Sequence, residues 1–157
     1  CITAKLVEMG VDVEEQDDAV LVRRTGPLSR TNIKTMPYPG FPTDAQAQLM
    51  AAACTARGTT VFVENIFENR YRHVCELARF GANIRVEGRV AVVEGKSHLH
   101  GAHVSATDLR GGAALVLAAL CAEGESRIDE VCHIDRGYES IETSLSKLGA
   151  VITRREG

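Results

Sequence analysis

Apolar and polar residues alternate along Asn83–Glu87, which predicts a strand with the short apolar run Val90–Glu94 as its partner. Short strands are also expected at Ala19–Arg23, Asn32–Met36, Thr59–Glu64, Ala102–Ala106 and Ser126–Val131. Between them the apolar positions shift to helical spacing over Asp44–Ala56, Arg70–Phe80, Asp108–Ala122 and Gly137–Leu148. The chain opens in mid-pattern with Ile2, Leu6, Val7 and Met9-Gly10, which reads as the last turns of a helix. Thr43 and Gln46 spell a capping box, and Asn69 and Asp135 are predicted N-caps of the later helices. Gly10, Gly58, Gly81, Gly124 and Gly149 stand where helices are expected to stop.

The pattern repeats. Thr43-Asp44 returns as Thr107-Asp108 at an offset of 64. Glu64, Arg70 and Glu76 return as Glu130, Arg136 and Glu142 at an offset of 66, and Gly81-Ala82 as Gly149-Ala150 at 68. Each unit reads β-α-β-α-β-β, so the expected fold class is α+β (mixed α/β), with helices packing their apolar faces on sheets. Residues 1–31 form the tail of one unit, 32–95 a second and 96–157 a third. A start at Cys1 on a helix without a beginning suggests a fragment of a longer protein.

The length of 157 residues suits one domain, and the 45% apolar content is that of a globular chain. A net charge of −3 and an aromatic content of 4% argue against a nucleic-acid partner, because basic surface and stacking rings are both scarce. The longest apolar run, near Ala113–Ala122, is half of what a membrane-spanning helix needs, so no membrane association is expected. The five cysteines are odd in number and lack CxxC spacing, which excludes a disulfide framework or zinc motif. Cys54, Cys75 and Cys121 read as small core residues, and free thiols fit a cytoplasmic setting. The five histidines have no carboxylate or thiol partner at ligand spacing, so no metal is expected.

Candidate chemistry falls on the repeat. Asp44 and Asp108 each begin a helix, and Arg70 and Arg136 each follow the next strand. An aspartate there also serves as a plain helix cap. An arginine at a helix start opposes the helix dipole, so local stability explains it less well than anion binding does. Glu68 and Glu139 are expected to be solvated or paired with these arginines. Gly111-Gly112 allows either close helix packing or an approach to phosphate, and packing is the simpler account because the P-loop lysine is missing. Pro37-Tyr38-Pro39-Gly40-Phe41-Pro42 is a stiff lead-in of a kind that holds Asp44 in one place.

Four motifs in order resemble the C-terminal part of the UDP-N-acetylglucosamine enolpyruvyl transferase family. They are Pro39-Gly40-Phe41-Pro42-Thr43-Asp44-Ala45-Gln46-Ala47-Gln48, Phe67-Glu68-Asn69-Arg70-Tyr71, Ala106-Thr107-Asp108-Leu109-Arg110 and His133-Ile134-Asp135-Arg136-Gly137-Tyr138-Glu139. The resemblance implies an inside-out α/β barrel built from such units. It also implies transfer of the enolpyruvyl group of phosphoenolpyruvate to the 3′-hydroxyl of UDP-N-acetylglucosamine in peptidoglycan precursor synthesis, with no cofactor and no metal. On the matching positions, Asp44 is implied as general base. Ile66 is implied as a backbone contact to the UDP-sugar and Arg136 as the grip on phosphoenolpyruvate. Arg70 and Arg110 are implied as cleft arginines ordered by Asp108. The family's phosphoenolpyruvate lysine and its loop cysteine and arginine lie on an N-terminal domain with no counterpart here. The isolated chain is therefore expected to be inactive and to expose apolar surface. A standalone sugar-nucleotide-binding module is the alternative. An RNA-end-processing enzyme of the same architecture is disfavoured by the charge and the missing histidine motif.

Overall fold

The computed structural model describes residues 1–155; the last two residues of the third expected unit lie outside this range. Helix α1 (Ile2–Glu8) leads into the hairpin β1 (Val11–Glu15) and β2 (Val20–Arg24). Strand β3 (Ile33–Lys34) precedes a 3-10 turn at Thr43–Ala45 and helix α2 (Gln46–Ala53). Then follow β4 (Thr59–Val63), α3 (Val74–Arg79), β5 (Asn83–Glu87) and β6 (Val90–Glu94). The remainder is β7 (Leu99–His100), β8 (His103–Ser105), α4 (Leu109–Cys121), β9 (Ala122–Glu123), β10 (Arg127–Asp129), α5 (Cys132–Asp135) and α6 (Ile141–Ser146). The mixed α/β class is as expected.

The largest sheet runs β3-β4-β6-β5, with β3 parallel to β4 and the other pairs antiparallel. The alternation in β4 and β6 turns Phe62, Ala91 and Val93 inward, and Phe62 stands opposite Ala91 across the ladder, so a large residue meets a small one. Parallel pairs β8–β10 and β7–β9 make two smaller sheets around α4. Helix α4 packs on α2 through small residues; Ala47, Ala51, Ala114 and Ala118 are all buried. Met50, Leu77, Phe80, Leu99 and Leu115 join the same core, while Ile134 anchors a smaller cluster with Ala106 and Val116.

The helix stops agree with the sequence where a glycine closes a repeat. Gly81 at φ +86° and Gly149 at φ +95° follow α3 and α6, and the next residue bonds back five positions in each case, Ala82 to Leu77 and Ala150 to Leu145. Helix starts agree less well. Helix α3 begins at Val74 rather than Arg70, and Asn69 sits at φ 54° instead of capping it. The helix expected at Gly137–Leu148 is confined to α6 (Ile141–Ser146), with Ser140 at φ 46° just before it, while α5 (Cys132–Asp135) lies ahead of Gly137. Gly137 lies where a β-carbon would stand 2.9 Å from the Leu109 side chain, so the chain breaks as it passes the start of α4. Asp135 is bound by Arg154 at 2.6 and 2.9 Å rather than capping a helix. Cys54 is buried as expected, whereas Cys75 and Cys121 are exposed. Ile2, Val7, Val20 and Val22 leave an exposed apolar face along α1 and the hairpin. No helix among the described residues is long and apolar enough to cross a membrane.

Candidate active site

The site gathers at the N-terminal ends of α2 and α4 and in the turns after β4. The stretch before α2 is tightly folded: Gly40 donates to the Pro37 carbonyl at 2.8 Å, and Met36 donates to Phe41 at 3.0 Å. A β-carbon on Gly40 would fall 2.5 Å from the Met36 side chain, so only glycine fits this turn. The turn delivers Phe41 into the core and Asp44 to the surface.

The expected capping box does not form. Thr43 instead donates to Glu64 at 2.9 Å and accepts from Arg70 Nε at 3.2 Å, and the Gln46 side chain is buried. Glu64, at the end of β4, explains the difference. It is 1% exposed and accepts four hydrogen bonds: from the Thr35 hydroxyl at 2.8 Å, the Thr43 hydroxyl at 2.9 Å, and the backbone amides of Ile66 at 2.9 Å and Phe67 at 3.1 Å. A buried carboxylate requires such donors, and hydrogen bonds to a charged acceptor are stronger than those a cap offers. Glu64 thus ties β3, the Asp44 turn and the Ile66 turn together.

Arg70 and Arg110 converge on the same oxygen of Asp44. Arg70 approaches at 3.4 Å, Arg110 donates through Nε, and Arg70 also lies 4.7 Å over the Phe67 ring. The carboxylate is 63% exposed, so these ion pairs add little stability; they hold charge at a surface. Asp108 caps α4, accepting from the amides of Arg110 at 3.0 Å and Gly111 at 2.9 Å. Burial alone would raise its pKa, but those amides, the Thr107 hydroxyl and nearby His73 together hold it below the usual carboxylate value. The cap also fixes Arg110, whose own amide it binds.

The structure therefore brings Asp44, Arg70 and Arg110 into contact and sets Asp108 directly behind Arg110. The Ile66 amide is already engaged by Glu64. Arg136 is exposed at the end of α5 and makes no ion pair among the described residues. It is tied to the site only indirectly: Gln48 on α2 donates to the Tyr138 hydroxyl at 3.0 Å. Glu68 pairs with Arg89 at 3.4 Å rather than with Arg70. Gly112 serves packing, since a β-carbon there would lie 2.6 Å from Ile134. Sequence spacing did not reveal the proximity of Glu130, Cys132 and His133, whose potential ligand atoms lie within 4.8 Å of one another; one exposed turn of this kind assigns no metal.

Sequence reasoning also missed His73 and Gln46. Both are 1% exposed and line a small cavity beneath Arg70, Asp108 and Arg110. Burial pushes the His73 imidazole down to about 4, with the Asp108 charge opposing the shift and the Arg70 charge adding to it.

A mixed α/β chain with two arginines sharing one exposed carboxylate has a surface suited to an anionic ligand and a proton-accepting group beside it. Residues 1–145 match the family of EPSP synthase (3-phosphoshikimate 1-carboxyvinyltransferase), and the chain belongs to it. The chain is 62% identical over 153 residues to a UDP-N-acetylglucosamine 1-carboxyvinyltransferase of Desulfofundulus thermocisternus, covering 98% of this chain and 63% of that relative. It is 57% identical over 153 residues to UDP-N-acetylglucosamine 1-carboxyvinyltransferase 3 of Caldanaerobacter subterraneus subsp. tengcongensis, covering 98% of this chain and 37% of that one. The crystal structure of the enolpyruvyl transferase NikO from Streptomyces tendae superposes with a TM-score of 0.87 at 34% identity, over 95% of this chain and 35% of that chain. EPSP synthase from Acinetobacter baumannii shares the fold, with a TM-score of 0.65 at 20% identity over 87% of this chain and 36% of its own. The similarity read from the four motifs is thus present, and the chain spans 63% or less of each of these relatives.

Proposed function

We propose that this chain is most of one domain of an enzyme that transfers the enolpyruvyl group of phosphoenolpyruvate to the 3′-hydroxyl of UDP-N-acetylglucosamine. The unit boundaries fall after residues 31 and 95, and the partner is an N-terminal domain of the same enzyme. Its place is the cytoplasmic stage of peptidoglycan precursor synthesis. In this reading Asp44 takes the proton of the sugar hydroxyl, which requires only hydrogen-bond reach and a carboxylate that stays ionised. Arg70 and Arg110 hold the anionic groups of the substrates, and Arg136 closes on phosphoenolpyruvate. Fixed guanidinium forks suit this task because they meet phosphate or carboxylate with little reorganisation. Asp108 orders Arg110 through the start of α4, and the Ile66 turn, held by Glu64, offers its backbone to the sugar nucleotide.

The observation that carries this reading is the convergence of Arg70 and Arg110 on one oxygen of Asp44 from two separate elements. The experiment is phosphate release from phosphoenolpyruvate and UDP-N-acetylglucosamine by the enzyme containing this chain. Asp44→Ala is expected to lower kcat by about 10²–10⁴. An unchanged rate would remove Asp44 from the base role, and no release by the unaltered enzyme would remove the activity itself. Binding of UDP-N-acetylglucosamine by calorimetry, without any turnover, would favour a binding module.

A further inference from the structure

The cavity under the arginine pair is unusual for its polar lining. The Nε2 of His73 and the amide atoms of Gln46 are buried and make no hydrogen bond within 3.5 Å among the described residues, the Gln46 amide lying toward the Tyr71 hydroxyl beyond that distance. Buried polar atoms without partners are rare enough in folded proteins that each needs a cause, and an ordered water is the commonest. The cavity measures about 10 Å³ and is bounded also by Thr43, Arg70, Asp108 and Arg110. That is at the threshold of roughly 10–15 Å³ for one water, which further needs two to four polar partners. Asp108 supplies one more. Its Oδ1 faces the two cap amides, while Oδ2 takes only the Thr107 hydroxyl at 3.2 Å and keeps a free lone pair.

We propose that Gln46 and His73 bind a single buried water that also meets Asp108, and that through it they position Arg110 for the anionic substrate. The link runs from the water to the Asp108 carboxylate, from that carboxylate to the Arg110 amide, and from Arg110 to Asp44. The two residues are positioning residues; neither touches substrate. The fit leaves no room for a bulkier ligand, and Gly111 keeps the wall thin: a β-carbon there would press to 3.0 Å from the His73 side chain and 3.1 Å from Asp108.

The positioning role rests on the transferase reading, but the water does not. A high-resolution crystal structure of the enzyme containing this chain tests the site first. A water within roughly 2.7–3.2 Å of both the Gln46 amide and His73 Nε2 is expected, and an empty cavity would overturn the proposal. Kinetics test the role. Gln46→Leu and His73→Leu are each expected to raise KM for phosphoenolpyruvate about tenfold, with kcat within about threefold. His73→Gln, which keeps a polar atom near the lost nitrogen, should restore KM. Equal effects of His73→Gln and His73→Leu on kcat and melting temperature, with KM unmoved, would reduce the pair to packing and overturn the positioning role. If the unaltered enzyme releases no phosphate, the transferase reading fails by itself and the crystallographic result alone decides the site. The same result decides if the leucine variants do not fold.

Discussion

Protonation of His73 sets a limit on stability in mild acid. Its imidazole is 1% exposed, and burial lowers its pKa from 6.5 to about 4. The folded state therefore binds the proton less tightly than the unfolded chain does. Above pH 6.5 both states are neutral at this position and nothing is lost. Between 6.5 and about 4 the unfolded chain takes up a proton that the folded chain refuses, so stability falls as pH falls through that window. At ~1.4 kcal/mol for each tenfold change in proton affinity, the full penalty is about 3 kcal/mol. About 2.5 kcal/mol of it is in place by pH 4.5. A loss of that size is a large share of a domain's total stability of roughly 5–15 kcal/mol.

The assay is urea unfolding at fixed temperature from pH 7.5 to 4.5, on the unaltered chain and on His73→Gln. The variant starts less stable at pH 7.5 because a buried ring is replaced. Its free energy of unfolding should then decline by about 2.5 kcal/mol less than that of the unaltered chain over the same range. Carboxylates whose pKa is lowered by folding lose their contribution as pH falls through their ordinary value, 3.8 for Asp108 and Asp135 and 4.5 for Glu8 and Glu142, at or beyond the acid edge of the window and alike in both proteins. The difference between the two curves therefore isolates His73. Parallel curves would refute the reasoning, because they would mean that the folded and unfolded chains bind the His73 proton with equal affinity.

Glu64→Ala should destabilise the chain by about 3 kcal/mol or more in the same urea assay, since it leaves two hydroxyls and two amides without their acceptor. Gly112→Ala should cost about 1–3 kcal/mol despite the better helix propensity of alanine, because the added carbon meets Ile134 at 2.6 Å; a neutral result by calorimetric melting would show that α5 moves freely. Asp108→Ala should lose about 1 kcal/mol as the cap of α4 is removed, with Asp108→Asn retaining most of it. The Asp108 contribution is present above pH 3.8 and fades as pH falls through its lowered folded value, which acid titration of the two variants would reveal as a missing step.

The sequence was most legible where a pattern runs long or recurs. Strands β5 and β6 match the sequence reading to the residue, because Asn83–Glu87 alternates and the apolar run Val90–Glu94 follows it after a turn at Gly88. Helix α4 was bounded to within a residue because Asp108 is a true cap. The first turns of α2, α3 and α6 were misread, and at α2 a distant group outbid the local signal. Thr43 is the clear case: its neighbours offer a capping box, but a carboxylate 21 positions away takes its hydroxyl. Nothing in a local window encodes that choice, because it depends on β3 and β4 being paired in parallel.

The same reasoning explains which part of the candidate site could be read. Asp44, Arg70, Asp108 and Arg110 stood out because the repeat presents them twice or the motifs include them. Glu64 recurs too, as Glu130, yet the two copies have different surroundings: Glu64 is buried under four donors, while Glu130 is exposed at φ 57°. Similarity between units therefore marks equivalent positions without marking equivalent work. Asp44 owes its location less to its own ion pairs, which are exposed and weak, than to the Glu64 network that fixes Thr43 beside it. It follows that Glu64→Gln, which keeps the shape but not the charge, should disturb the site more than removing Arg70's contact to Asp44 disturbs the fold. The residues that set the geometry here lie behind the motif, in positions a motif search passes over.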